Sequence, residues 1–130
     1  MRDRSVHKPI LCLDFDGVCH SYVSGWKGAA VIPDPPVPGM WDFLADATEA
    51  GFEVHVFSSR THQDGGKDAM KRWFLDCCPR EDKYLGAFQQ LIFPTEKPAA
   101  LVTLDDRALT FTGFWPDARE LLNFKPWNKQ

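Results

Sequence analysis

The sequence predicts an α/β domain built on a mostly parallel sheet with helices on both faces. Three observations lead there. Short apolar runs of strand length recur at Ile10 to Leu13, Val54 to Phe57, Gln89 to Phe93 and Ala100 to Leu104. Helical patterns lie between them, and alternating strands and helices are the mark of parallel strands joined by crossovers. Each run ends in polar residues: DFDG, SSR, PTEKP and DDR. Ligands of such sheets bind outside the carboxyl ends of the strands, so the four exits are where chemistry is expected.

The first run, ILCLD, is bounded by Pro9 and by Gly17, and is too short for a helix. From Gly17 to Pro38 the glycines and β-prone residues of YVSGWKGAAVI predict a β-hairpin flap beside the first strand. PDPPVPG then forms a stiff lead into a helix. That helix, Met40 to Ala50, places Trp41, Leu44, Ala45 and Thr48 on one face and stops at Gly51. A second helix, Lys67 to Cys78, places Met70, Trp73, Phe74 and Cys77 on one face, with Asp64 as N-cap and Pro79 as terminator. The tail predicts a short helix from about Pro116 to Asn123, followed by a segment that docks through Phe124 and Trp127. Trp41, Trp73, Phe74 and Phe111 are expected in the core.

The 130 residues are expected to make a single domain, 1–130, able to bury a core without staples. With 44% hydrophobic and 25% charged residues, the chain falls among globular rather than disordered sequences. A net charge of -3 leaves no global basic footprint for non-specific nucleic-acid binding. The four cysteines, Cys12, Cys19, Cys77 and Cys78, form no CxxC pair and read as free thiols of a reducing compartment. No run approaches the roughly 18 apolar residues of a membrane span. A cytoplasmic protein without membrane contact, monomeric or a small homo-oligomer, is expected.

If the four exits converge, Asp14, Asp16, Asp105 and Asp106 meet. Two carboxylates about 4 Å apart repel by about 4 kcal/mol at an effective dielectric near 20. A hard divalent cation resolves that repulsion, and Mg²⁺ suits a few carboxylates plus waters. No His or Cys cluster favours a softer metal. Together with Lys97 and a Ser hydroxyl at the other exits, such a site fits a phosphorylated substrate.

These residues resemble the haloacid dehalogenase-like (HAD) phosphohydrolases. DFDGV matches the family's first motif, Ser58 in VHVFSSR its second, Lys97 in EKP its third and LDDR its fourth, in order along nearly the whole chain. The resemblance implies a Rossmann-like, HAD-type fold and a Mg²⁺-dependent phosphomonoester hydrolase working through an aspartyl-phosphate. It implies Asp14 as nucleophile, Asp16 as acid and base, and Gly17 as the residue that lets the chain turn sharply. Ser58 and the amide of Ser59 would hold the phosphoryl oxygens, and Lys97 would neutralise Asp14 and the transferring group. Asp14, the Asp16 carbonyl, and Asp105 or Asp106 would ligate the metal. The stretches between motifs hold little beyond core elements, so no cap domain is expected and the site is open. LDDR is also similar to the phosphatase domain of polynucleotide kinase-phosphatases, which makes a nucleic-acid end one candidate substrate and a small phosphorylated metabolite the other. Arg60 and Arg107 are expected to read phosphate or to anchor aspartates, and His20, Tyr22, Trp26 and Lys27 to stack on or grip the substrate from the flap. His62 and Gln63 are further loop candidates. The alternative is a HAD-fold binding or regulatory module without turnover; a receiver domain phosphorylated on Asp would place its acidic pair first rather than last.

Overall fold

A computed structural model describes residues 8–129. Its elements are β1 (Ile10–Asp14), α1 (Met40–Glu49), β2 (Glu53–Phe57), α2 (Gly66–Cys77), α3 (Asp82–Gln90) and β3 (Val102–Leu104). Short 3₁₀ turns occur at Ser59–His62, Glu120–Asn123 and Trp127–Lys129. The three strands form one parallel sheet in the order β2-β1-β3. Leu11 and Leu13 pair in register with Val54 and Val56 on one side of β1, and with Val102 and Leu104 on the other.

Side chains alternate across a strand, so Leu11, Leu13, Val54 and Val56 share a face. They join the buried cluster of Met40, Trp41 and Leu44 from α1 and Met70, Trp73 and Phe74 from α2. Phe15, directly after β1, sits at its centre, edge-on to Trp73 at 5.2 Å and tilted against Phe74 at 5.7 Å. Tyr84, Leu85, Ala87 and Phe88 of α3 join the same cluster. The helical cover expected on both faces is therefore found on this one. On the opposite face Cys12 is buried, with Thr103 and Lys97 among its neighbours.

Both anticipated helices form. Gly51, at φ 100, donates its amide to the Thr48 carbonyl, as a helix-ending glycine does. The cap of α2 is Gly65 rather than Asp64. Other expectations give way. Gln89 and Gln90 belong to α3, and the strand expected from Gln89 to Phe93 contracts to one parallel bridge between Ile92 and His55. The reason is packing: α3 lies on α1, with Tyr84 edge-on to Trp41 at 6.4 Å and its hydroxyl 2.5 Å from Asp42 Oδ1.

The segment from Gly17 to Pro38 forms no pair of hairpin strands. Its neck closes through a single antiparallel bridge of His20 to Pro36, with Ser21 donating to the Pro35 carbonyl and Val37 to that of Cys19. Pro33, Pro35, Pro36 and Pro38 have no amide hydrogen to continue a ladder. In the tail the helix shrinks to the turn Glu120–Asn123. Trp127 docks as expected, its indole donating to the Gly17 carbonyl at 2.8 Å, while Phe111 is exposed and stacks on the exposed Trp115. No helix among the described residues is long and apolar enough to cross a membrane.

Candidate active site

The parallel register decides which residues meet. Leu13 is level with Leu104 and Asp14 with Phe57, so the chain leaves β1, β2 and β3 at the same end. Asp14 closes β1, Ser58 follows β2, and Asp105 and Asp106 follow β3. Carboxylate oxygens of Asp14, Asp105 and Asp106 all lie within 4.8 Å of one another. Gly17 makes room for this triad: at φ 89 it adopts a left-handed conformation, and a Cβ there would run into the Asp106 carboxylate.

Three carboxylates cannot all stay ionised at this distance unless something positive joins them. Burial, first, then the charge of Asp105 and a hydrogen bond and charge from Asp106, push Asp14 up to about 8. Asp106 Oδ1 is buried without a hydrogen-bond donor among the described residues. Fully ionised, the triad therefore leaves an acceptor orphaned, which a bound cation or a proton on Asp14 would satisfy. Asp105 is better supported, accepting the Arg107 amide at 2.8 Å with the Lys97 ammonium 4.0 Å away. Lys97 thus reaches the acidic site through Asp105 rather than through Asp14. The donor set is entirely carboxylate oxygen with one buried oxygen unsatisfied, which fits a small hard cation such as Mg²⁺.

Asp16 is elsewhere. Its carboxylate is held by Arg60, through Nε to Oδ2 at 3.0 Å and Nη2 to Oδ1 at 3.1 Å, and by His20 Nδ1 at 2.9 Å. Burial by itself would raise its pKa, but the His20 and Arg60 hydrogen bonds outweigh that and lower it. Asp16 is accordingly a stable carboxylate, and its side chain is not part of the triad. His20 Nε2 accepts the Asp34 amide at 3.1 Å, so Nδ1 carries the hydrogen given to Asp16.

Arg60 and His20 are both fully buried. Arg60 Nη1 donates to the carbonyls of Gly28, Ala29 and Val31 at 2.8, 2.9 and 3.3 Å. Its donors are committed to Asp16 and to the loop, which corrects the expectation that Arg60 or His20 contacts substrate. Of the two roles foreseen for Arg60, anchoring an aspartate is the one seen. Ser58 is also buried, and its Oγ accepts the Arg60 amide at 3.1 Å, starting the 3₁₀ turn in which Ser59 is exposed. Lys27 and Arg107 are exposed.

Sequence reasoning overlooked Asp34, which sits in the proline-rich stretch and holds the loop together. Its carboxylate takes the Ser24 amide and hydroxyl at 2.8 and 2.6 Å, and its carbonyl takes the Trp73 indole at 3.0 Å. A lone carboxylate among prolines was the signal, since the prolines beside it offer no amide hydrogen and its partner must come from elsewhere in the loop. A cleft of about 270 Å³ lined by Gly17, Asp105, Asp106 and Trp127 opens beside the triad. Comparison with protein-family models, with curated proteins and with solved structures finds no match for the chain.

Proposed function

We propose that the protein is a Mg²⁺-dependent phosphomonoester hydrolase of HAD type, with Asp14 as nucleophile. The observation that carries this reading is the triad: three carboxylates from two adjacent strand ends within 4.8 Å, with the pKa of Asp14 raised to about 8 by burial and by its acidic neighbours. Such an arrangement is unfavourable unless a cation or a proton joins it, and a cation held there would attract an anionic substrate. Asp14, Asp105 and Asp106 would hold the Mg²⁺. When bound, the ion would keep Asp14 ionised at neutral pH and offset the charge of the transferring phosphoryl group.

In the first half-reaction an Asp14 oxygen forms a bond to phosphorus as the bond to the leaving oxygen breaks, and that oxygen takes a proton from a solvent water. In the second, water attacks the phosphorus of the aspartyl-phosphate, releasing inorganic phosphate and regenerating the carboxylate. Asp16, kept ionised by Arg60 and His20, would be the base that takes the proton from that water. Lys97, beside Asp105, adds positive charge at the rim. The substrate is a phosphorylated metabolite, a nucleotide or a nucleic-acid end.

One observation favours a second reading, a HAD-fold binding module without turnover. The Asp16 carboxylate is bound to a buried arginine, and a low pKa makes it a poor acid. A single experiment separates the two: phosphate release from an aryl phosphate with Mg²⁺, in wild type, in Asp14→Asn, and in excess EDTA. Turnover that vanishes in the variant and in EDTA supports the hydrolase. Activity undiminished in either one overturns it, and no activity in the wild type leaves the binding module.

A further inference from the structure

Tyr22 is the only non-glycine residue at positive φ, 60, among the described residues. A left-handed conformation crowds the Cβ of a bulky residue, and a turn without another task would place Gly or Asn there. Tyr22 is half-buried, and its ring stands edge-on to His20 at 5.8 Å. Through His20 the ring adjoins the clamp on Asp16, which lies two residues along the chain from Asp14.

Trp26 is placed through the other partner of Asp16. The Arg60 guanidinium lies 4.6 Å from the centre of its ring, yet Trp26 remains 46% exposed. A large indole is thus fixed on one face by a buried cation and open to water over much of its surface. Its orientation is set before any ligand arrives, which lowers the entropy lost on stacking. Two aromatic rings therefore hang from the two side chains that grip Asp16.

We propose that Tyr22 and the outer face of Trp26 form a subsite for a planar ring on the leaving group, so that the substrate is a nucleobase-bearing phosphomonoester. This rests on the phosphomonoester reading above for its link to turnover. Mononucleotides and nucleic-acid ends share the chemistry, and ring stacking needs no basic surface, in keeping with the net charge of -3.

The test compares adenosine monophosphate, a 3′-phosphorylated oligonucleotide and ribose 5-phosphate, which has no base. Binding is measured by calorimetry on Asp14→Asn, and kcat/KM on active protein. The expected preference for the ringed ligands is about 5- to 150-fold, the range of one base stack, and it resides in KM rather than kcat. Tyr22→Gly removes the ring and relieves the backbone, so it folds; it and Trp26→Ala bring the ratio towards one, while Tyr22→Phe retains it. Preference for the oligonucleotide over the mononucleotide assigns the end of a nucleic acid, and the reverse assigns free nucleotides. An unchanged ratio in both Tyr22→Gly and Trp26→Ala, or a wild-type ratio of one, overturns the subsite. Absence of turnover on every ester would instead remove the hydrolase reading, with the binding ratios still deciding the subsite.

Discussion

Replacing Asp14 by Asn takes one charge out of the triad and leaves its shape. Ionising Asp14 requires a pH near 8 rather than its ordinary 3.8. At about 1.4 kcal/mol per pH unit, that displacement caps the penalty on the ionised form at ~6 kcal/mol. Asp14 is only partly buried and its charge interacts with those of Asp105 and Asp106, so about half of this, ~3 kcal/mol, is expected. The folded chain holds the proton more tightly than the unfolded one. This contribution to stability is therefore full below about pH 4 and is lost as pH rises towards 8. Asn is neutral throughout, and its amide can donate to the unsatisfied Asp106 oxygen. Urea unfolding without metal should give equal stabilities within about 1 kcal/mol near pH 4. At pH 8.5 the variant should be the more stable by ~3 kcal/mol, a midpoint shift of about 1.5 to 2 M for a usual urea slope. Mg²⁺ at about 100 times its Kd should restore ~2.7 kcal/mol to the wild type and less to the variant. A variant no more stable than wild type at pH 8.5 would refute the mutual repulsion assigned to the triad.

Two further expectations concern the groups around it. Arg60→Met should destabilise the protein by about 3 to 5 kcal/mol in urea unfolding, because Asp16 and the carbonyls of Gly28 and Ala29 lose their buried partner. Arg60→Lys should recover little, since one ammonium cannot span both groups; a near-neutral Arg60→Met would show that the clamp is incidental. All four cysteines are free, and burial pushes the thiols of Cys12, Cys19, Cys77 and Cys78 up. A chromogenic disulfide at pH 8 should therefore modify Cys77, the least buried, ahead of the others. Four thiols should appear only in guanidinium, and four that react at once in the native protein would contradict the packing.

β1 and β2 were readable because each is an apolar run too short to be a helix, and α1 and α2 because their apolar positions repeat with the helical period. Parallel strands end together, so finding acidic residues after the first and last runs was enough to anticipate that Asp14, Asp105 and Asp106 meet. Cys77 and Cys78 were likewise readable as thiols outside any disulfide. The stretch from Asp82 to Phe93 carries both a helical spacing and an apolar run. Contact with α1 settles the choice for α3, and local sequence contains no record of that contact.

The same limit governs the site. An arginine two positions after Ser58 reads equally as a phosphate ligand or as an anchor for an aspartate, because nothing in its neighbourhood reveals that Asp16 and three loop carbonyls, far away in sequence, will use up its donors. His20 changes from a candidate substrate contact to a buried support for the same reason. Nor does an apolar residue declare its exposure: Phe111 and Trp115 pattern like core residues and lie at the surface. By itself the sequence determined which chemical groups leave each strand and at which end of the sheet. Tertiary structure alone decided which of those groups neutralise one another and which stay open to a ligand, because pairing between charges depends on distances that only the folded chain sets.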